Sequence, residues 1–178
     1  MALKLADIEV EVREITLREK PIHMLQVSPK GTVPVLIFTD GSLIEESLEI
    51  MLFALKRHAV EASINAPSRA LILQNDMQFK QALDAYKYPE RHPNKTQTQH
   101  RADGEIFLQG LENLLQQHTY LFDEKPSFAD YAIFPFVRQF AAVDETWFAQ
   151  SDYAKLRNWL NAWVESDLFK NIMTKNPT

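Results

Sequence analysis

Within "SPKGTVPVL", residues 28–36, a single proline interrupts a run (Val33, Val35, Leu36, Ile37, Phe38) that otherwise reads as a buried strand. Proline cannot donate to a sheet ladder, so Pro34 belongs at a strand start, an edge or a bulge. The other option is a cis X-Pro bond in a tight turn. Such a turn leaves the N–H and C=O of Val33 free to bond a partner outside the protein. Other chemistry is bounded by what the chain lacks. It has no cysteine, so these residues offer no disulfide, no thiolate nucleophile and no cysteine-ligated metal. His23, His58, His92, His100 and His118 are scattered, without the paired spacing of a metal site, and no metal is expected.

The elements that must position Val33 and Pro34 fall into two halves. Residues 1–60 mix strand and helix signals. "IEVEVREI" (8–15) alternates Ile8, Val10 and Val12 with charged residues, the pattern of a half-buried strand. "KPIHMLQV" (20–27) is a short helix with Pro21 in its first turn. Residues 33–38 and 42–46 pair as a hairpin across the "TDG" turn, and Ser47 opens a helix carrying Ile50, Met51, Ala54 and Leu55.

After the "VEASINAP" linker (60–67) the strand signals stop. A helix over 67–88 presents Leu71, Leu73, Met77, Phe79, Leu83 and Tyr86 on one broad apolar face. A second, over 97–118, turns Ile106, Phe107, Leu111, Leu114 and Leu115 inward, with Gly104 and Gly110 as points of close packing. "SFADYAIFPFVRQFAAV" (127–143) is apolar nearly all round, as a central bundle helix is. Ser127 and Asp130 form its capping box, with Asp in the usual Glu position. Residues 153–173 make two helices broken near Glu165-Ser166-Asp167. Trp147, Trp159 and Trp163 read as core or interface residues. The fold class is therefore α/β plus all-α.

The balance of 46% hydrophobic and 24% charged residues is that of a globular protein. A net charge of −5 gives no basic stripe for nucleic acid. No apolar run is long enough to span a bilayer, and "MALKLADIEVEV" has no signal-peptide core. Cytoplasm is the default location.

Three segments in this order, "SPKGTVPVL" (28–36), "IEESLEIM" (44–51) and "SFAD" (127–130), resemble the glutathione S-transferase superfamily, and the resemblance runs over nearly the whole chain. It is nearest in character to the cysteine-type, omega-like branch. It implies a thioredoxin-like glutathione-binding domain over 1–60 and an all-helical C-terminal domain over 67–173. It also implies glutathione as cofactor, an electrophilic or disulfide substrate, and a homodimer that joins the first domain of one chain to the second of the other.

The site residues follow from that resemblance. Val33, before a cis Pro34, offers its backbone to the cysteinyl unit of glutathione. Glu46 pairs with the ligand ammonium. The hydroxyl and N–H of Ser47, at a helix N-terminus, receive the γ-glutamyl carboxylate. Lys20 has the spacing of a lysine directed at the glycyl carboxylate, and Lys30 reads as solvated. Glu46-Ser47 also reads as a plain helix cap, and Lys20 as a plain surface lysine. Tyr86, Tyr88, Arg91 and His92 could line the acceptor-substrate pocket, with aromatic packing and a polar helix end as the alternative.

"MALKLA" (1–6) matches the end of the family's first helix. The first strand and the turn with the catalytic Tyr, Ser or Cys are then missing from the start of the thioredoxin-like domain. No catalytic residue is assigned. Strand 8–15 is expected to re-pair with 33–38 or to take a partner from a neighbouring chain, unless the natural start lies elsewhere. Two functions fit: a glutathione-binding protein for conjugation or thiol transfer, and a non-catalytic binding or scaffold protein on the same fold.

Overall fold

The structure, a computed structural model, describes residues 1–16, 18–56 and 58–174. The chain divides into two compact units, Met1–Glu61 and Ala62–Thr178.

The first unit opens with helix α1 (Ala2–Leu5), which packs against the helix over Ser47–Leu55. Asp7 takes a left-handed φ of 52° and α1 closes as a Schellman motif. Its bonds are Ile8 N–H to Leu3 C=O (2.9 Å) and Asp7 N–H to Lys4 C=O (3.2 Å). The expected strand over 8–15 does not form. Residues 8–16 join no ladder, and Val10 and Val12 are 41% and 66% exposed. Alternation prepares a segment to be a strand, but a ladder needs a neighbour, and none lies beside it among the described residues.

Helix α2 (Ile22–Val27) follows, with Pro21 at its N-cap. Strands β1 (Val35–Ile37) and β2 (Leu43–Glu45) pair antiparallel in the register Val35↔Glu45, Leu36↔Ile44, Ile37↔Leu43. The hairpin is tied by Asp40, whose carboxylate accepts the N–H (2.9 Å) and hydroxyl (2.6 Å) of Ser42. β1 is shorter and less buried than its apolar run suggests, with Ile37 53% exposed. Helix α3 (Ser47–Leu55) buries Ile50, Ala54 and Leu55, and a 3-10 turn (Ala59–Ser63) follows.

The second unit is helical. Helix α4 (Ala66–Gln74) runs through a π turn (Asn75–Phe79) into α5 (Lys80–Lys87) and a short 3-10 turn (Pro89–Arg91). Its buried stripe is Ile72, Asn75, Phe79, Leu83 and Tyr86, whereas Leu73 and Met77 are each 61% exposed. Polar Asn75 holds a stripe position, so apolar neighbours mimic the face. The same happens in α6 (Gln97–Leu115): His100, Gly104, Phe107, Leu111 and Leu115 are buried and Ile106 points outward. Gly104 is a point of close approach, because a Cβ there would lie 2.3 Å from the Phe140 ring. Gly110 faces open space instead.

Helix α7 (Phe128–Ala141) is the centre of this unit, packing on α4, α5 and the helix over Ala154–Glu165. Its start carries the capping box of Ser127 and Asp130. The Asp130 carboxylate accepts Ser127 N–H (2.8 Å) and hydroxyl (2.5 Å), Leu121 N–H (3.0 Å) and Trp159 Nε1–H (2.8 Å). Helices α8 (Glu145–Gln150), α9 (Ala154–Glu165) and α10 (Asp167–Met173) complete it, with Ser166 between the last two. Glu112 of α6 caps α9 by accepting Lys155 N–H (3.2 Å) and Leu156 N–H (2.8 Å). Trp159 and Trp163 are buried, while Trp147 is half-buried beneath the Arg101 guanidinium, 4.4 Å from its ring. No helix among the described residues is long and apolar enough to cross a membrane.

Candidate functional site

The hairpin register assembles the site in the first unit. Because Val35 pairs with Glu45, Val33-Pro34 just before β1 lies at the same end of the ladder as Glu46-Ser47 just after β2. The Val33–Pro34 bond is cis. Val33 is exposed, and no group among the described residues bonds its backbone N–H or C=O. That is an open extended segment with one donor and one acceptor to offer.

Glu46 has φ 67° and ψ 126°, a region that non-glycine residues seldom occupy. It stands at the N-cap of α3 yet makes no capping bond with its side chain. By contrast, Asn65, Thr96, Asp144 and Ser166 cap α4, α6, α8 and α10. The first N–H groups of α3, beside an exposed Ser47 hydroxyl, therefore remain available to a carboxylate. Glu46 holds the cap position that the helix-cap reading of Glu46-Ser47 expects, through its carbonyl alone and with no side-chain bond. Glu46 stands on the wall of an open groove of about 700 Å³ formed with Glu45, Glu49, Phe53 and Lys30.

Lys20 lies against the loop that leads to Val33. A Cβ built on Gly31 would be 3.4 Å from both Cδ and Nζ of Lys20. No acid pairs with the Lys20 ammonium among the described residues. Lys30 is 62% exposed, as its solvated reading expects, and its Nζ also meets Glu45 Oε2 at 3.0 Å. Glu45 Oε1 also accepts the buried Ser28 hydroxyl at 2.5 Å. The Ser28 hydroxyl first, then the Lys30 ammonium, hold the Glu45 carboxyl below its ordinary range. Sequence reasoning passes over Ser28 and Glu45, which sit in the quoted segments beside the residues it selects.

The residues expected to line an acceptor pocket separate. Tyr86 is a correction: 2% exposed, it packs on Phe140 at 4.8 Å between ring centroids, and burial pushes its phenol up. It sits on the buried stripe of α5 and so points into the core. Tyr88 and Arg91 stay together, the guanidinium 4.2 Å from the ring centroid. His92 turns instead to Asp84 (2.9 Å). A groove of about 680 Å³ near it carries polar groups that pair with one another, Asp84 with His92 and Lys95 with Asp103. Among the described residues no cluster of three His, Asp or Glu side chains is arranged to hold a metal.

Known protein families match both units of the chain. A family model described as the N-terminal domain of glutathione S-transferase matches residues 1–63, and one for its C-terminal domain matches residues 98–162. The chain belongs to the glutathione S-transferase superfamily. Its first unit is the family's thioredoxin-like N-terminal domain and its second is the helical C-terminal domain.

Solved structures share the fold. The glutathione transferase URE2P6 of Phanerochaete chrysosporium, in complex with oxidized glutathione, superposes with a TM-score of 0.79 at 16% identity, over 96% of this chain and 86% of that one. Gtt2 of Saccharomyces cerevisiae gives 0.72 at 18% identity, over 97% and 92%. A glutathione transferase of Burkholderia graminis, with two glutathione molecules bound per subunit, gives 0.76 at 16% identity, over 99% and 83%. At such identities these relatives show the fold alone. No curated protein matches the sequence.

Proposed function

We propose that this glutathione S-transferase-fold chain binds glutathione at the Glu46 end of its hairpin, for conjugation to an electrophile or for thiol transfer. The observation that carries the reading is the unbonded Val33 backbone, at the same end of the ladder as the uncapped start of α3. The residues present suit a peptide with two carboxylates and one ammonium. Val33 bonds the cysteinyl unit as a strand neighbour, with Pro34 setting the turn. Glu46 takes the ammonium, Ser47 and the α3 N–H groups take the adjacent carboxylate, and Lys20 takes the glycyl carboxylate. Bound glutathione supplies the thiol that this cysteine-free chain lacks. Lys20 in the last role is what the omega-like branch implies. Tyr88 and Arg91 are the residues we assign to the acceptor side.

A non-catalytic binding protein is the second reading. It is favoured by the commitment of two first-unit hydroxyls elsewhere, Ser28 to Glu45 and Ser42 to Asp40. No residue of the chain is assigned to activate the sulfur. A homodimer in the cytoplasm completes the proposal.

Titration calorimetry with reduced glutathione tests binding. Wild-type binding that Glu46→Ala abolishes and Lys20→Ala weakens supports the site, and no heat at millimolar ligand sinks it. Conjugation of a model electrophile then separates the two readings: turnover above the buffer rate favours the enzyme.

A further inference from the structure

Glu45 touches none of the groups assigned to glutathione, yet it joins the segments that carry them. Its two oxygens face two residues of the 28–33 loop, Oε1 the Ser28 hydroxyl at 2.5 Å and Oε2 the Lys30 ammonium at 3.0 Å. Ser28 is 1% exposed, so its hydroxyl has no water to turn to. Ser28 also anchors the loop through its backbone, accepting Gly31 N–H at 2.9 Å. Gly31 takes φ +61° with Leu25 and Lys20 pressed against it. On the other side, the backbone of Glu45 pairs with Val35, two residues beyond Val33. Its side chain thus holds the beginning of the loop while its backbone holds the strand at the loop's end.

We infer that Glu45 is a positioning residue for glutathione, clamping the 28–33 loop through Ser28 and Lys30 so that Val33 and Lys20 stand at fixed places relative to Glu46. The inference rests on the binding site proposed above. A loop tied at one end only would order itself when ligand binds, and that ordering weakens affinity. The clamp makes the ordering part of folding instead. The Ser28 bond is its principal half, because it is buried. The Lys30 contact is exposed and weaker.

The test uses the full chain and reduced glutathione as probe. Ser28→Ala and Glu45→Ala should each weaken the calorimetric Kd roughly tenfold, about 1.4 kcal/mol. Glu45→Gln keeps an acceptor for Ser28 and should stay within about threefold of wild type. The double variant Ser28→Ala/Glu45→Ala should bind no worse than either single one, since both remove one clamp. In ligand-free protein, amide hydrogen exchange at Gly31, whose buried N–H is bonded to the Ser28 carbonyl, should quicken in Ser28→Ala and Glu45→Ala and not in Glu45→Gln. Multiplying effects in the double variant, or unchanged exchange, would overturn the clamp. Absence of glutathione binding by the wild type would overturn the site reading, with the exchange experiment still deciding whether Glu45 orders the loop. If Glu45→Ala does not fold, Ser28→Ala alone carries both measurements.

Discussion

Single residues in the first unit set stability against binding. Glu46 holds backbone angles that glycine adopts readily, and such a residue costs about 1–3 kcal/mol relative to a relaxed one. Glu46→Gly should therefore raise the urea midpoint while abolishing retention on immobilised glutathione. Glu46→Ala should lose retention with no gain in midpoint, and a gain in that variant would contradict the strain argument. Gly31 is the mirror case. A methyl there would meet Leu25 at 3.0 Å and Lys20 at 3.4 Å, at a φ of +61°. Gly31→Ala should cost about 1–2 kcal/mol in stability and weaken glutathione binding by displacing Lys20. Calorimetry and urea melts on that variant check both halves. The juxtaposition of Val33-Pro34 with Glu46-Ser47 at one end of the hairpin is legible in the sequence because each pair lies in a short local motif flanking a strand. The Ser28–Glu45 pair is not, because its partners are 17 positions apart and only the hairpin register brings them together.

Among the elements, α7 and α9 depend most on side chains supplied from elsewhere. Asp130→Ala would strand the Leu121 and Ser127 N–H groups and the Trp159 indole in a dry interior, so a loss of at least about 3 kcal/mol is expected in urea melts. The start of α9 is fastened by Tyr153, whose hydroxyl donates to Glu105 at 3.0 Å. Burial first, then the Glu105 carboxylate, push that phenol up to about 12. A folded-state pKa above the unfolded value of about 10 stabilises fully below pH ~10 and is lost as pH rises toward about 12. Tyr153→Phe should therefore flatten the fall in stability across that alkaline window, and an unchanged slope would remove Tyr153 as its source. Helices and their breaks are readable in the sequence where caps and prolines mark them, as at Ser127 and Ser166. The faces of α4–α5 and α6 are legible only in part: Gly104 reads correctly as a close-packing point, but polar Asn75 and His100 hold buried positions while Leu73, Met77 and Ile106 face outward. The segment 8–16 fails for a different reason: alternation is local and pairing is not.

For the whole molecule, the proposed dimer has its own test. Leu73, Met77 and Ile106 leave apolar surface exposed on the second unit. Light scattering at micromolar concentration should give twice the chain mass, and Met77→Glu with Ile106→Glu should return it to one; a monomeric wild type would contradict the dimer. The core of the same unit also constrains how this sequence can change over time. The Phe140 ring rests where a side chain at 104 would begin, 2.3 Å from that missing carbon. It also packs against Phe79, Tyr86 and Trp147, so it has no free direction in which to retreat. Position 104 can therefore accept a side chain only in a lineage where position 140 has already become smaller. Taken in the opposite order, the same two substitutions pass through an overpacked core, at a cost of about 1–3 kcal/mol in stability. A packing contact thereby becomes a rule of historical order, binding descendants that keep the phenylalanine to keep the glycine.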